Sequence, residues 1–408
     1  MIKLVHGDII VLLAGIGGIL ILARTFAELG KKIKMPVVMG EILLGIILGP
    51  TILGSITPEF CTWAFPKAGA AKVAMDGITS LAVVMLLFVA GMEVQLQIML
   101  KQGKTAVYTS FTSMVIPFIL GFSAVWLLPG FFTFASDRKL VYALFFGIAM
   151  AVSALPVISR ILMDLNLFKT KVGMIVIAAA IFDDLIGWIL FSFVLGLMGQ
   201  EGEIKSIGFT IGMIVGFGLF MLVIGRSVIN GALPWIQRKL SWPGGVLSIA
   251  LGLCFLGAAF TEYIGLHAIL GAFIVGIAFG DSVHLQERER EIIYQFVTNV
   301  FAPLFFVSIG FKVNFIENFD GALVALVFFL AVGCKVFGAA LGGYMGGLTK
   351  RESLAVGFGL NARGAMEIIL GTLALNVGLI DSKMFVALVV MALITSMMSG
   401  PLMKRFID

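Results

Sequence analysis

Charge is scarce in this sequence. Of its 408 residues only 12% are Asp, Glu, Lys or Arg, while 60% are hydrophobic; a soluble domain carries about 25% charged residues. Too few polar side chains remain to clothe a water-facing surface, which excludes a soluble enzyme, a nucleic-acid-binding domain and a disordered chain. Cysteine is scarce too. Cys61, Cys254 and Cys334 form an odd, scattered set with neither a disulfide framework nor metal-ligand spacing. The opening MIKLVHGD lacks the charged start, long apolar stretch and small-residue cleavage site of a secretory leader. No glycine-rich phosphate loop, zinc spacing or nucleophile elbow occurs, so no enzymatic constellation and no cofactor are expected. His6, His267 and His284 suit core or surface roles better than ligation.

Long apolar runs are what the sequence has in abundance. A bilayer core roughly 30 Å thick needs about 20 apolar helical residues. Runs of that size recur from 8–29 to 383–403, at a spacing that predicts about thirteen transmembrane helices. The short alternating segments of a β-barrel are absent, so the fold class is an all-α polytopic membrane protein. Lys and Arg outnumber Asp and Glu by 28 to 23, and on so apolar a chain the excess reads as basic loops facing anionic lipid. Alternate connections hold 17 Lys and Arg on one side and 8 on the other. Basic loops stay cytoplasmic, which puts the N-terminus outside and the C-terminus inside. No loop has the length of a soluble domain, and five residues follow the last run, so no fused cytosolic module is expected. The 49 glycines and 21 methionines suit close helix packing and adaptable apolar surfaces.

Within the apolar runs a few charges stand out. Each ionisable group at membrane depth costs at least about 2.5–3.5 kcal/mol on insertion scales, so each needs a reason. Asp183–Asp184 alone interrupt 172–200, Lys335 alone interrupts 321–349, and Arg363 with Glu367 interrupt 353–380. Adjacent helical positions point about 100° apart. One carboxylate of the Asp pair can therefore face a cation pathway while the other meets a fixed counter-charge. A buried carboxylate can hold a proton or a metal cation, but hardly both, and that competition suffices for antiport if access to the loaded site alternates. Lys335 is about fourteen residues from either flanking charge, too deep for easy snorkelling, and one reading pairs it with Asp183. Arg363 and Glu367 are four apart and share a helix face. They fit a neutralised structural pair and a direct transport role equally well.

Two runs are built to break. Ser153-Ala154-Leu155-Pro156 brings a proline to the middle of one, where it removes an intrahelical hydrogen bond. Gly357, Gly359, Asn361 and Gly364 surround Arg363 in another. Unwound backbone survives at membrane depth only where it is buried or lines a cavity, and paired interrupted segments in corresponding halves point to a transporter's midplane site. If the first six spans repeat as the last six, the two interrupted spans correspond, and the offset of seven makes the repeat inverted. Charge at Lys335 and Arg363 then lies beside half-helix ends, whose partial charges need compensation.

These residues carry a resemblance. The stretch PVVMGEILLGIILGPTILG (36–54) resembles the second-span signature of the monovalent cation/proton antiporter-2 family, which includes bacterial Na+/H+ antiporters, Kef-type systems and plant cation/H+ exchangers. SALPVISRILMDLNL (153–167), AAAIFDDLIGWIL (178–190), FAPLFFVSIGF (301–311) and GLNARGAMEIIL (359–370) resemble later signatures in the same order. The resemblance implies an antiporter fold with two broken, crossing helices and two parts. Residues 1–93 and 241–313 would form a dimerisation domain, 94–200 and 314–408 a core that moves like an elevator, and 201–240 a linker helix. It further implies that Asp184 binds cation and proton, that Asp183 bonds to Lys335, and that Ser153 lines the site; from the interrupted, charged run itself Asn361, Arg363 and Glu367 are secondary candidates. The Asp-Asp pair with Lys335 is more similar to the electrogenic Na+/H+ branch than to Kef-type members.

The function expected is exchange of Na+, K+ or Li+ for H+ by a homodimer in a cell membrane. A gated cation channel is the alternative, and a transporter of organic anions ranks last because the Asp pair would repel its substrate.

Overall fold

A computed structural model describes residues 4–32, 37–66, 68–94, 103–134, 138–165, 167, 170–197, 207–264 and 267–407. Of the basic residues counted for orientation, Lys3, Lys34, Lys67, Lys101, Lys169 and Lys205 lie outside the described residues. In chain order the α-helices are α1 (His6–Lys32), α2 (Val37–Leu48), α3 (Leu53–Ile56), α4 (Pro58–Ala64), α5 (Ala70–Glu93), α6 (Gly103–Leu127), α7 (Lys139–Ala151), α8 (Leu155–Asp164), α9 (Lys171–Leu197) and α10 (Ile207–Phe220). There follow α11 (Arg226–Lys239), α12 (Gly244–Tyr263), α13 (Ala268–Gly280), α14 (Glu287–Phe296), α15 (Ala302–Lys312), α16 (Gly321–Met345), α17 (Lys350–Leu360), α18 (Ala365–Asn376) and α19 (Ser382–Ile407). Wide π turns at Met221–Gly225 and Val297–Phe301 carry α10 into α11 and α14 into α15.

Among the described residues ten helical stretches are long and apolar enough to cross a membrane. Lys139–Ala151, Ala268–Gly280 and Met366–Asn376 are apolar but shorter. About thirteen spans are expected from the sequence, two of them interrupted. The two runs expected to break, 139–159 and 352–376, are each divided into a pair of short helices, α7 with α8 and α17 with α18.

The chain separates into two compact units, Met1–Val94 with Gly208–Asn318, and Gln95–Ile207 with Phe319–Asp408. In the first, α2 lies directly on α15. A Cβ at Gly310 would overlap the Gly45 carbonyl group and the Ile46 nitrogen, so the contact is backbone on backbone and only glycine allows it. Ile19, Ala23, Leu44, Leu304 and Val307 form a buried cluster beside this seam. At one end Arg290 donates to the Met92 carbonyl at 2.5 Å and the Gly280 carbonyl at 2.6 Å. One guanidinium thereby caps the C-terminal ends of both α5 and α13, where backbone carbonyls lack helical partners.

In the second unit α16 packs on α6 through Gly338, Gly342 and Gly346, spaced four apart so that they share one helix face. Thr105 Oγ1 donates to the Gly346 carbonyl at 2.5 Å. Exposed positions are themselves apolar in both units: Leu13 and Leu256 in the first, Phe111 and Phe329 in the second. Such a surface suits lipid, where outward apolar side chains carry no cost.

Candidate functional site

Each division falls where the residue types fail as helix formers. A proline at 156 cannot donate to the carbonyl of 152, and α7 ends at Ala151, with Val152 and Ala154 extended before Pro156 enters the first turn of α8. Proline is tolerated there because first-turn N–H groups have no helical acceptor. The second helix pair parts at residues 361–364, between Leu360 and Ala365.

The two breaks are bonded to each other. Ala154 N–H donates to the Ala362 carbonyl at 3.0 Å, and the Ser153 hydroxyl lies 2.8 Å from the Leu360 carbonyl. Four carbonyls at the C-terminal end of α7 then find donors. Val152 N–H reaches Ile148 at 3.0 Å, Arg363 reaches Ala149 and, at 2.5 Å, Met150, and the Lys335 ammonium reaches Ala151. Two cations therefore close the negative end of one short helix, which neutralises its dipole and satisfies its unmatched acceptors.

The same lysine holds Asp183. Its Nζ lies 2.5 Å from Asp183 Oδ2 and 3.0 Å from the Ser113 carbonyl, and both side chains of the ion pair are fully buried. The Ser153 hydroxyl is 3.0 Å from Asp183 Oδ2, and the Ser113 hydroxyl is 3.2 Å from Oδ1. Both serines also have a carbonyl within reach, Leu360 for Ser153 and Ser110 for Ser113. A hydroxyl has one proton to donate, so each serine can serve the carboxylate or the backbone. Asp184, 3% exposed, follows on α9 and faces about 100° away from Asp183.

The Arg363 guanidinium pairs with Glu367 at 3.0 Å, both side chains buried. Ser396 donates to the Arg363 carbonyl and ties α19 to the second break. The structure thus joins Asp183, Ser153 and Lys335 in one network and Arg363 with Glu367 in another, and both reach the end of α7. Asn361 is buried between them in sequence, at the C-terminal cap of α17.

Ser113 and Ser396 are missing from the sequence reading. Both sit in apolar runs where a hydroxyl is unremarkable, since it can bond to its own helix's preceding turn. His267 caps α13, its Nδ1 accepting from Ile269 N–H at 3.4 Å. Cys61, Cys254 and Cys334 are buried. Among the described residues no three His, Cys, Asp or Glu side chains gather as a metal cluster.

Residues 17–407 match the family described as sodium/hydrogen exchanger, transmembrane. The chain is 29% identical over 406 residues to the Na(+)/H(+) antiporter NhaS4 of Synechocystis sp., an alignment covering 97% of each chain. It is 29% identical over 394 residues to Cation/H(+) antiporter 17 of Arabidopsis thaliana, covering 94% of this chain and 47% of that one. The chain thus spans about half the length of the plant relative and nearly all of the cyanobacterial one. Its fold is similar to that of the sodium proton antiporter MjNhaP1 from Methanocaldococcus jannaschii, with TM-score 0.68 at 17% identity over 98% of this chain and 97% of the other.

Proposed function

The chain belongs to the sodium/hydrogen exchanger family, and we propose that it is a secondary antiporter that exchanges a monovalent cation, Na+ or K+, for H+ across a cell membrane. The observation that carries this reading is the fully buried Asp183–Lys335 pair at the end of a broken helix, with a second carboxylate, Asp184, beside it on α9. A permanent charge pair alone would be an expensive ornament at membrane depth. Next to a second carboxylate it becomes a device for exchanging positive charge.

In the proposed cycle Asp184 carries the cation in one direction and a proton in the other. One carboxylate cannot hold both, and this competition is the coupling. Lys335 holds Asp183 while the site carries its proton, and lets go as the cation enters. Ser153 and Ser113 accommodate that change because each hydroxyl can turn from the carboxylate to a backbone carbonyl. Arg363 and Glu367 keep the end of α7 closed while the Lys335 contact is remade. Exchange at both Asp184 and Lys335 moves two protons per cation and makes transport electrogenic; a permanently charged Lys335 makes it one for one. The unit that holds the site would carry it between the two faces of the membrane, as an elevator. The unit of Met1–Val94 and Gly208–Asn318 would hold two copies together as a homodimer. The N-terminus lies outside and the C-terminus in the cytoplasm.

The test is transport in proteoliposomes under an imposed proton gradient, with internal pH followed as Na+, K+ or Li+ is added. A saturable, pH-dependent dissipation is expected, and its response to a potassium/valinomycin clamp separates the two stoichiometries. Asp184→Asn should reduce exchange to the level of protein-free vesicles. Cation flux without proton counterflow would overturn the antiporter in favour of a gated channel.

A further inference from the structure

The backbone of the second helix break is bonded at several points. Asn361 N–H donates to the Gly357 carbonyl at 3.1 Å, and the Leu360, Ala362 and Arg363 carbonyls accept from Ser153, Ala154 and Ser396. Among the described residues, two side chains of this segment keep unmatched polar atoms, Arg363 at Nε alone and Asn361 at both ends of its amide. The Asn361 side chain is fully buried, yet among the described residues neither its Oδ1 nor its Nδ2 has a hydrogen-bond partner. A carboxamide offers two donors and an acceptor with two lone pairs, and buried polar groups are almost always satisfied by protein, water or an ion. The backbone around Asn361 is tied on both sides, so the orphaned amide is not a sign of loose packing.

We propose that Asn361 is a ligand of the transported cation, its Oδ1 completing the oxygen shell at the second helix break. The inference rests on the antiporter reading and adds a residue to its binding site. Four features support it. Alkali cations take hard oxygen ligands, and a side-chain amide carbonyl is one. Asn361 caps the C-terminal end of α17, the end whose partial charge favours a cation. The preceding residue, Leu360, is linked through Ser153 to Asp183, so the amide belongs to the same stretch of backbone as the titrating network. Finally, the amide is neutral. It can strengthen cation binding and discriminate by size without altering the charge that the carboxylates exchange for protons.

A structural amide and a ligand amide differ in what their removal does. Deleting a side chain that bonds to protein weakens the fold. Deleting one that bonds only to the cargo leaves the fold intact, or firmer, and weakens binding. The experiment uses the full chain, Asn361→Ala and Asn361→Ser, in proteoliposomes for exchange and in detergent for heat stability, with choline chloride or NaCl present. The expected result for N361A is an apparent KM for Na+ raised roughly ten-fold, the size of one lost polar contact. The pH of half-maximal exchange stays in place, and heat stability in choline chloride is not lowered. Added NaCl stabilises the wild type but N361A less, and N361S, which retains an oxygen, falls between them. An unchanged KM overturns the proposal. So does loss of heat stability or failure of N361A to fold, because either would show the amide to be a structural tie. Asp184→Asn in the same assay keeps the two claims apart: exchange by that variant would refute the antiporter site, whatever N361A does.

Discussion

Replacing Lys335 with methionine strands a charge whose surroundings are known atom by atom. Asp183 would lose the Nζ at 2.5 Å and keep only the hydroxyls of Ser153 at 3.0 Å and Ser113 at 3.2 Å. Removing one member of a buried ion pair costs about 3–5 kcal/mol, because the remaining charge stays desolvated. The Ser113 and Ala151 carbonyls also lose their ammonium donor, at about 1 kcal/mol each. Only the first cost is electrostatic, and a second substitution isolates it. Adding Asp183→Asn to Lys335→Met removes the stranded charge but restores neither carbonyl contact. The double variant should therefore be more stable than the lysine variant alone by about 3 kcal/mol, roughly 150-fold in the ratio of folded to unfolded protein. The assay is denaturation of purified, detergent-solubilised protein, comparing wild type, both single variants and the double. A double variant no more stable than K335M would refute the reasoning, since the pair would then not be a coupled unit.

Two further substitutions test the frame around the site. Arg363→Ala leaves Glu367 buried without its partner and the Ala149 and Met150 carbonyls without their donor. A loss of about 3–5 kcal/mol is expected, only partly recovered by lysine, whose ammonium cannot reproduce the guanidinium fork. Heat challenge followed by gel filtration would read it, and an R363A protein as robust as wild type would assign the pair no structural role. Gly310→Ala drives a methyl into the backbone of Gly45 and Ile46, which cannot rotate away, and should cost about 1–3 kcal/mol. Gly333→Ala, with open space at its Cβ position, serves as the matched control and should be neutral or mildly stabilising; equal losses in the two would remove the close-contact argument.

The residues that were legible in the sequence share one property: they violate their surroundings. Asp183, Asp184, Lys335, Arg363 and Glu367 stand out because charge is costly in an apolar run. The two breaks announce themselves through Pro156 and through Gly357, Gly359 and Gly364, poor helix formers in the middle of spans. Ser113 and Ser396 break no such rule. A hydroxyl in an apolar helix carries little information until its neighbours are known. Nor could charge spacing say what Arg363 does besides pairing with Glu367, because the α7 carbonyls that it closes lie more than two hundred positions away.

Composition and residue order are enough to make this chain helical, to bring it into a membrane and to give it a small set of deep charges with two interrupted helices among them. Those follow from local composition, since hydration cost and helix propensity act residue by residue. It takes the assembled helices to show that Ser153 and Ala154 of one break meet Leu360 and Ala362 of the other, and that Gly45 lies against Gly310. The same holds for Lys335 and Arg363 sharing the end of α7, and for Asn361 being left with an amide to offer. Such facts depend on which backbone acceptors and donors remain unmatched once every helix has satisfied its own, and that remainder exists only in the assembled fold.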